Sequence, residues 1–243
     1  MGSTSVEQSV SEIATPSGCN ACEARGEGIC GVLSPQQLAR LAKHSKRRTI
    51  AAGCELVSQG EEAATYSNVL SGVLKLAKTM ADGRQQIVGL QFAPSFAGRP
   101  YSHRSAYAVE AASETRICTF PRQPMDLLAL EVPELGHRLH EQALSELDEA
   151  REWMLTLGRK DALEKISTLL LYMARRLDPG DHDKKCFELS LSRQEIGDYL
   201  GLTIETVSRQ FTRLRKLRAI ELENLRLVRV PNVGRLASLA SVD

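Results

Sequence analysis

Apolar positions along this chain repeat with two different periods, and the change of period divides it. From about Val32 to Phe120 short apolar runs are interrupted roughly every ten residues by Gly53, Gly60, Gly72, Gly83 and Gly89. Ala81-Asp82-Gly83-Arg84 reads as a hairpin turn between VLKLAKTM and QQIVGLQF. That rhythm predicts an antiparallel β-barrel or jelly roll. From Glu134 to Gly158 the spacing becomes three or four: Leu135, Leu139, Ala143, Leu147, Ala150, Met154 and Leu157 recur among Arg, Glu and Asp, which predicts one long amphipathic helix. Such a stripe serves either of two purposes. It packs on the chain's own barrel, or Leu139, Ala143, Leu147, Ala150 and Met154 form the seam of a dimer.

A second helix is expected from Arg159 to Leu177, carrying Leu163, Ile166, Leu169, Leu170 and Met173 and stopped by Asp178-Pro179-Gly180-Asp181. Beyond it lies SLSRQEIGDYLGLTIETVSRQFTRLRKLR. Ser192 and Glu195 have capping-box spacing, Gly201 suits a turn, and Thr203 can cap a following helix, so the segment reads as a helix-turn-helix. On its second helix Val207, Phe211, Leu214 and Leu217 share one face. The opposite face then carries Glu205, Ser208, Arg209 and Thr212, chemistry suited to base edges: Arg to guanine, Glu to the cytosine amino group. Downstream, IELENLRLVRV with a turn at Glu223-Asn224 predicts a two-stranded wing that adds phosphate contacts through Arg226 and Arg229. The expected fold class is α+β, organised as a disordered polar tail (1–18), a cysteine-rich segment (19–31), a barrel (32–133), the long helix (134–158) and a winged helix-turn-helix unit (159–243).

Charge sharpens this picture only locally. The whole chain balances 31 basic against 30 acidic residues, yet Ile204 to Arg218 holds Arg209, Arg213, Arg215, Lys216 and Arg218 against Glu205 alone. Arg213 and Lys216 are expected on DNA phosphates. No apolar run approaches a membrane span and the first residues lack a secretory pattern, so the chain is expected in the cytoplasm. Six cysteines are few for a disulfide framework, and clustering there suggests metal. Cys19, Cys22 and Cys30 form C-x2-C-x7-C, and Cys118 lies in the last predicted barrel strand. Four thiolates suit a 4Fe-4S cluster or tetrahedral zinc. Cys54, at a turn, and Cys186, in a linker before the helix-turn-helix, match neither ligand set. His137 and His140 read as surface residues.

In the order glycine-punctuated barrel with SGVLKL, long helix and IGDYLGLTIETVSRQF, the chain from Cys19 to about Ala237 resembles the CRP/FNR superfamily of transcription regulators. The last segment is similar to the FNR branch, and the seven-residue gap between Cys22 and Cys30 to its rhizobial FnrN-type subgroup. The resemblance implies a homodimer on a palindromic operator, base contacts from Glu205, Ser208 and Arg209, and contact with RNA polymerase. It also implies a 4Fe-4S cluster on Cys19, Cys22, Cys30 and Cys118 that permits dimerisation and DNA binding until oxygen destroys it. The CRP branch offers a cyclic-nucleotide alternative, because Arg104-Ser105-Ala106 is similar to its phosphate-binding triplet. FAPSFAGRPYSH, however, lacks that branch's Gly-Glu. Zinc in a structural role is the other alternative. No nucleotide loop, nucleophile elbow or paired-carboxylate constellation suggests an enzyme.

Overall fold

The computed structural model describes residues 17–100 and 102–241; the expected tail lies outside them except for its last two residues, which enter one helical turn, α1 (Ser17–Asn20). A 3-10 turn (Ile29–Val32) and α2 (Pro35–Ala42) follow, the latter opened by a capping box between Ser34 and Gln37. Eight strands then build the barrel: β1 (Lys46–Ile50), β2 (Glu55–Val57), β3 (Thr65–Ser71), β4 (Val73–Thr79), β5 (Gln85–Phe92), β6 (Phe96–Ala97), β7 (Ala108–Ala111) and β8 (Thr115–Pro121). They pair as two antiparallel sheets, β1-β8-β3-β6 and β2-β7-β4-β5, a jelly-roll arrangement.

The expected hairpin joins β4 to β5, with Gly83 at φ 86°, a left-handed conformation that favours glycine. Gly89, by contrast, sits inside β5 opposite Leu76, where the register slips between Leu76 and Ala77. A Cβ there would stand 3.3 Å from a Leu76 methyl, so that glycine marks a bulge rather than a turn.

After α3 (Arg122–Glu131) the period-3.6 stripe forms α4 (Pro133–Arg159), one unbroken helix. Its stripe is divided. Leu135 is buried and Leu139 half-buried against the barrel's own core, whereas Ala143, Leu147, Ala150 and Met154 are exposed, together with Leu144 and Leu155. Lys160 breaks the helix, and Asp161 caps α5 (Ala162–Leu177) through a capping box with Glu164. That box shifts the start of α5 three residues beyond the expected Arg159.

The C-terminal unit continues with β9 (Lys185–Glu188), α6 (Arg193–Leu200), α7 (Ile204–Lys216), β10 (Glu221–Glu223), β11 (Leu227–Val230) and α8 (Val233–Leu239). Its sheet has three strands in the order β10-β11-β9. The expected two-stranded wing is thus corrected: β9 pairs with β11, Phe187 opposite buried Val228. Cys186 therefore lies in a strand, not a linker. One apolar core runs through this unit and takes in Val73, Ile87, Leu90 and Phe92 from the outer face of β4 and β5, so the unit is packed against the barrel.

Candidate functional site: a nucleic-acid interface and a cysteine pocket

The helix-turn-helix is built from local chemistry. The Ser192 hydroxyl accepts from the Glu195 amide (3.2 Å), and the Glu195 carboxylate accepts from the Ser192 amide (2.7 Å), so two otherwise orphaned donors at the start of α6 are satisfied. Gly201 ends the helix at φ 64° and ψ 41°. Thr203 then caps α7 by accepting from the Thr206 amide. Val207, Phe211 and Leu214 are buried beneath α7, which turns Glu205, Ser208, Arg209, Thr212, Arg213 and Lys216 outward, all exposed. The Arg193 guanidinium lies 3.4 Å from the Phe211 ring centroid. That stacking braces α6 on α7, and burial lowers the Arg193 pKa to about 10. The outer face of α7 can therefore present a guanidinium, a carboxylate and hydroxyls to base edges. On the wing, Arg226 is exposed at the turn, while Arg229 is tied to Glu223 at 2.9 Å.

The cysteines are brought together by the tertiary fold. Cys19, Cys22, Cys30 and Cys118 line one pocket, with Leu38, Leu41, Asn68, Arg47 and Phe120 completing its wall. Cys118 is placed by β8, opposite Asn68 of β3. Arg47, one strand over, donates to the Gly18 carbonyl and so ties the N-terminal turn to the barrel. Burial pushes the Cys30 thiol up to about 12, and the nearby Cys118, Cys19 and Cys22 push in the same direction. Cys118 is raised by burial first and by Cys19 and Cys22 as well.

Loss of thiolate hydration is the main cause of both shifts, and the neighbouring thiols add to it; a bound cation would oppose both by replacing the protons. Four thiol donors lining one pocket are the chemistry that a thiophilic metal group takes. The cavity between the thiols is small, about 20 Å³, and among the described residues no group of three or more His, Cys, Asp or Glu side chains stands arranged to hold a metal ion. Cys54 and Cys186 are exposed and lie outside this pocket. His137 is exposed and 3.4 Å from Glu141.

Asn68 was not singled out by sequence reasoning. The residue is 5% exposed, and its side chain donates to Cys30 Sγ at 3.5 Å and leaves its carbonyl oxygen without a partner among the described residues. The sequence offers little signal for it, since Asn68 is one of several polar residues in the strand TYSNVLS. A second cavity, about 430 Å³, opens inside the barrel and is lined by Arg48, Arg99, Arg104 and Ser105, with Leu147 of α4 at its edge. Arg104 is exposed and donates to the Gly60 carbonyl at 3.5 Å.

Residues 47–130 match the model of a cyclic nucleotide-binding domain, and residues 164–239 that of a Crp-like helix-turn-helix domain. A probable transcriptional activator of Rhizobium leguminosarum bv. viciae is 54% identical over 230 residues, covering 95% of this chain and 96% of that protein. The transcriptional activator FnrL of Cereibacter sphaeroides is 40% identical, covering 93% of this chain and 92% of its own. Among solved structures, FixK2 of Bradyrhizobium japonicum superimposes with a TM-score of 0.74 at 30% identity, covering 82% of this chain and 98% of that one.

Proposed function

The chain belongs to the CRP/FNR family of transcription regulators, as a DNA-binding activator of FNR/FixK type, and from that premise we propose that it acts as an oxygen-responsive homodimer controlled by a 4Fe-4S cluster. The observation that carries this reading is the convergence of Cys19, Cys22, Cys30 and Cys118 on one pocket. Those four residues would hold the cluster; when bound, it supplies sensitivity to oxygen and joins the N-terminal turn to β8 through thiolate bonds. Arg47 and Asn68 orient the ligands, Arg47 through Gly18 and Asn68 through its N–H to Cys30. The exposed stripe Ala143, Leu147, Ala150 and Met154, with Met154 72% exposed, supports an α4 to α4 dimer seam, since soluble chains rarely leave such stripes uncovered.

Two copies of α7 then face two half-sites of a palindrome. Arg209 donates to guanine, Glu205 and Ser208 read neighbouring bases, and Arg213 and Lys216 hold phosphates. Contact with RNA polymerase follows from the activator role. No helix among the described residues is long and apolar enough to cross a membrane, and a cytoplasmic site of action is part of the same proposal.

Purification without air, with iron and sulfide counted, and DNA binding measured before and after exposure to air, tests the reading. The expected result is brown protein with matching iron and sulfide that loses operator binding in air. Colourless protein containing zinc would replace the cluster by a structural metal. The arginine-lined barrel cavity favours a second reading, an anionic ligand such as a cyclic nucleotide; a change in melting temperature or DNA affinity on adding cyclic nucleotide would support it.

A further inference from the structure

In the sequence VLKL, Lys75 looks like an ordinary solvent-facing position of a strand. Its side chain is only 7% exposed. Val73 and Lys75 share the face of β4 that turns away from the barrel interior, and Val73 there joins the core of the C-terminal unit. The Lys75 ammonium sits 2.8 Å from Glu110, its cross-strand neighbour on β7, and 2.5 Å from Glu195 on α6. A buried ammonium is costly unless paired, and here one of its two counter-charges belongs to the DNA-reading unit. Glu195 is also the carboxylate that closes the capping box of α6. A second polar link runs alongside, from the Gln86 amide of β5 to the Tyr199 carbonyl of α6 at 3.1 Å. Around them the contact is apolar, through Ile87, Leu90 and Phe92.

Apolar contact is non-directional and tolerates sliding, whereas a charge held between two carboxylates has one position. We propose that Lys75 is a positioning residue for operator recognition: held between Glu110 of the barrel and Glu195 of α6, it fixes the pose in which α7 faces DNA. In this pose the barrel leaves the outer face of α7 uncovered, with Glu205, Ser208, Arg209 and Thr212 all exposed. Two half-sites on one DNA face must be met by two recognition helices at a set separation. A pose fixed to the barrel fixes that separation in advance. Losing the clamp frees each reader to search. The inference rests on the dimeric reading of the operator, so DNA binding is measured on protein kept without air.

The discriminating variants are Lys75→Met and Glu195→Gln. Gln keeps a capping-box acceptor, so α6 stays capped while the ion pair is lost. The probes are a palindromic duplex selected from random DNA by the wild-type chain, the same duplex with one base pair added at its centre, and an unselected duplex. Both variants should bind the selected duplex roughly tenfold more weakly, as when the competent pose is populated about a tenth of the time. They should discriminate less against the lengthened duplex and bind unselected DNA as wild type does, and Lys75→Arg should restore discrimination.

Trp153, the single tryptophan, provides a readout that needs no DNA, because its ring lies 4.7 Å from the Tyr199 ring of α6. Iodide should quench it more readily in both variants. Wild-type affinity and spacing discrimination in both variants would overturn the proposal. Should the wild-type chain select single half-sites, the dimeric reading fails, and Trp153 alone decides: greater quenching in both variants supports the clamp, unchanged quenching overturns it.

Discussion

The two ends of this chain carry function in opposite ways. At the DNA-reading end the caps and the turn that shape the two helices lie within a few residues of their partners: Ser192 with Glu195, Gly201 at the turn, Thr203 with Thr206. At the cysteine end nothing is finished locally. Cys19, Cys22 and Cys30 lie on turns with few regular bonds, and they meet Cys118 only because β8 runs antiparallel to both β1 and β3. Helices specified locally keep their shape through distant changes, and only the pose of α6 and α7 is proposed to depend on the remote Lys75. A site assembled from remote segments depends on each segment at once, which would suit the proposed oxygen sensor.

The largest effect that could break this contrast is at the remote ligand. Cys118→Ser should give colourless, mainly monomeric protein without operator binding in the absence of air, and the same should hold for Ser at Cys19, Cys22 or Cys30. Cys54→Ser and Cys186→Ser should leave colour and binding near wild type. A full cluster spectrum in Cys118→Ser would mean that the cysteine end is local after all.

Next in size comes the helix that lies between the two ends. Leu147, 45% exposed on α4, would lie at the proposed two-fold seam, and Leu147→Glu would bury like charges against each other at a cost of several kcal/mol. Sedimentation without air should show folded monomers, with thiol reactivity at the cysteine pocket unchanged in the unassembled chain. A persistent dimer would place the seam elsewhere.

A smaller loss is expected at the reading face itself. Arg209→Ala should remove a base contact worth about 1 to 3 kcal/mol and relax selectivity at one base pair. Arg213→Ala should weaken all sequences alike and reduce the salt dependence. Competition binding across single-base operator variants separates the two, and identical profiles would show that the face of α7 is misassigned.

The same contrast explains what could be read in advance. The β4-β5 turn, the long α4 helix and both capped helices follow from neighbouring residues, and all were legible. The third strand of the C-terminal sheet was not, because Lys185-Cys186-Phe187-Glu188 shows little apolar alternation by itself and becomes a strand only by pairing with β11. Leu139 belongs to the same stripe in the sequence, yet in the fold it packs against the chain's own core, while the stripe further on faces solvent. Asn68 and Lys75 were missed for one reason: each is a polar residue in a strand, and burial of such a residue depends on what the opposite sheet or the next domain brings to it. The four cysteines were named from spacing and family resemblance. Their shared pocket is a property of the fold.

The mildest test is the most local. Ser192→Ala deletes one acceptor at the start of α6 and leaves the Glu195 to Ser192 amide bond and the Lys75 contact in place. Loss of such a cap typically costs about 1 kcal/mol, which for a chain of this length lowers the melting temperature by about 2 to 4 °C. Buried Val207, Phe211 and Leu214 still seat α7, so operator affinity below the transition should change little. The labelling rates of the pocket cysteines by a thiol reagent should not change, because Ser192, Glu195 and Lys75 all lie outside the lining of their pocket. Faster labelling of Cys30 in Ser192→Ala would show that the reading end reaches the cysteine pocket through the barrel, and the division between a local and an assembled site would then have to be given up.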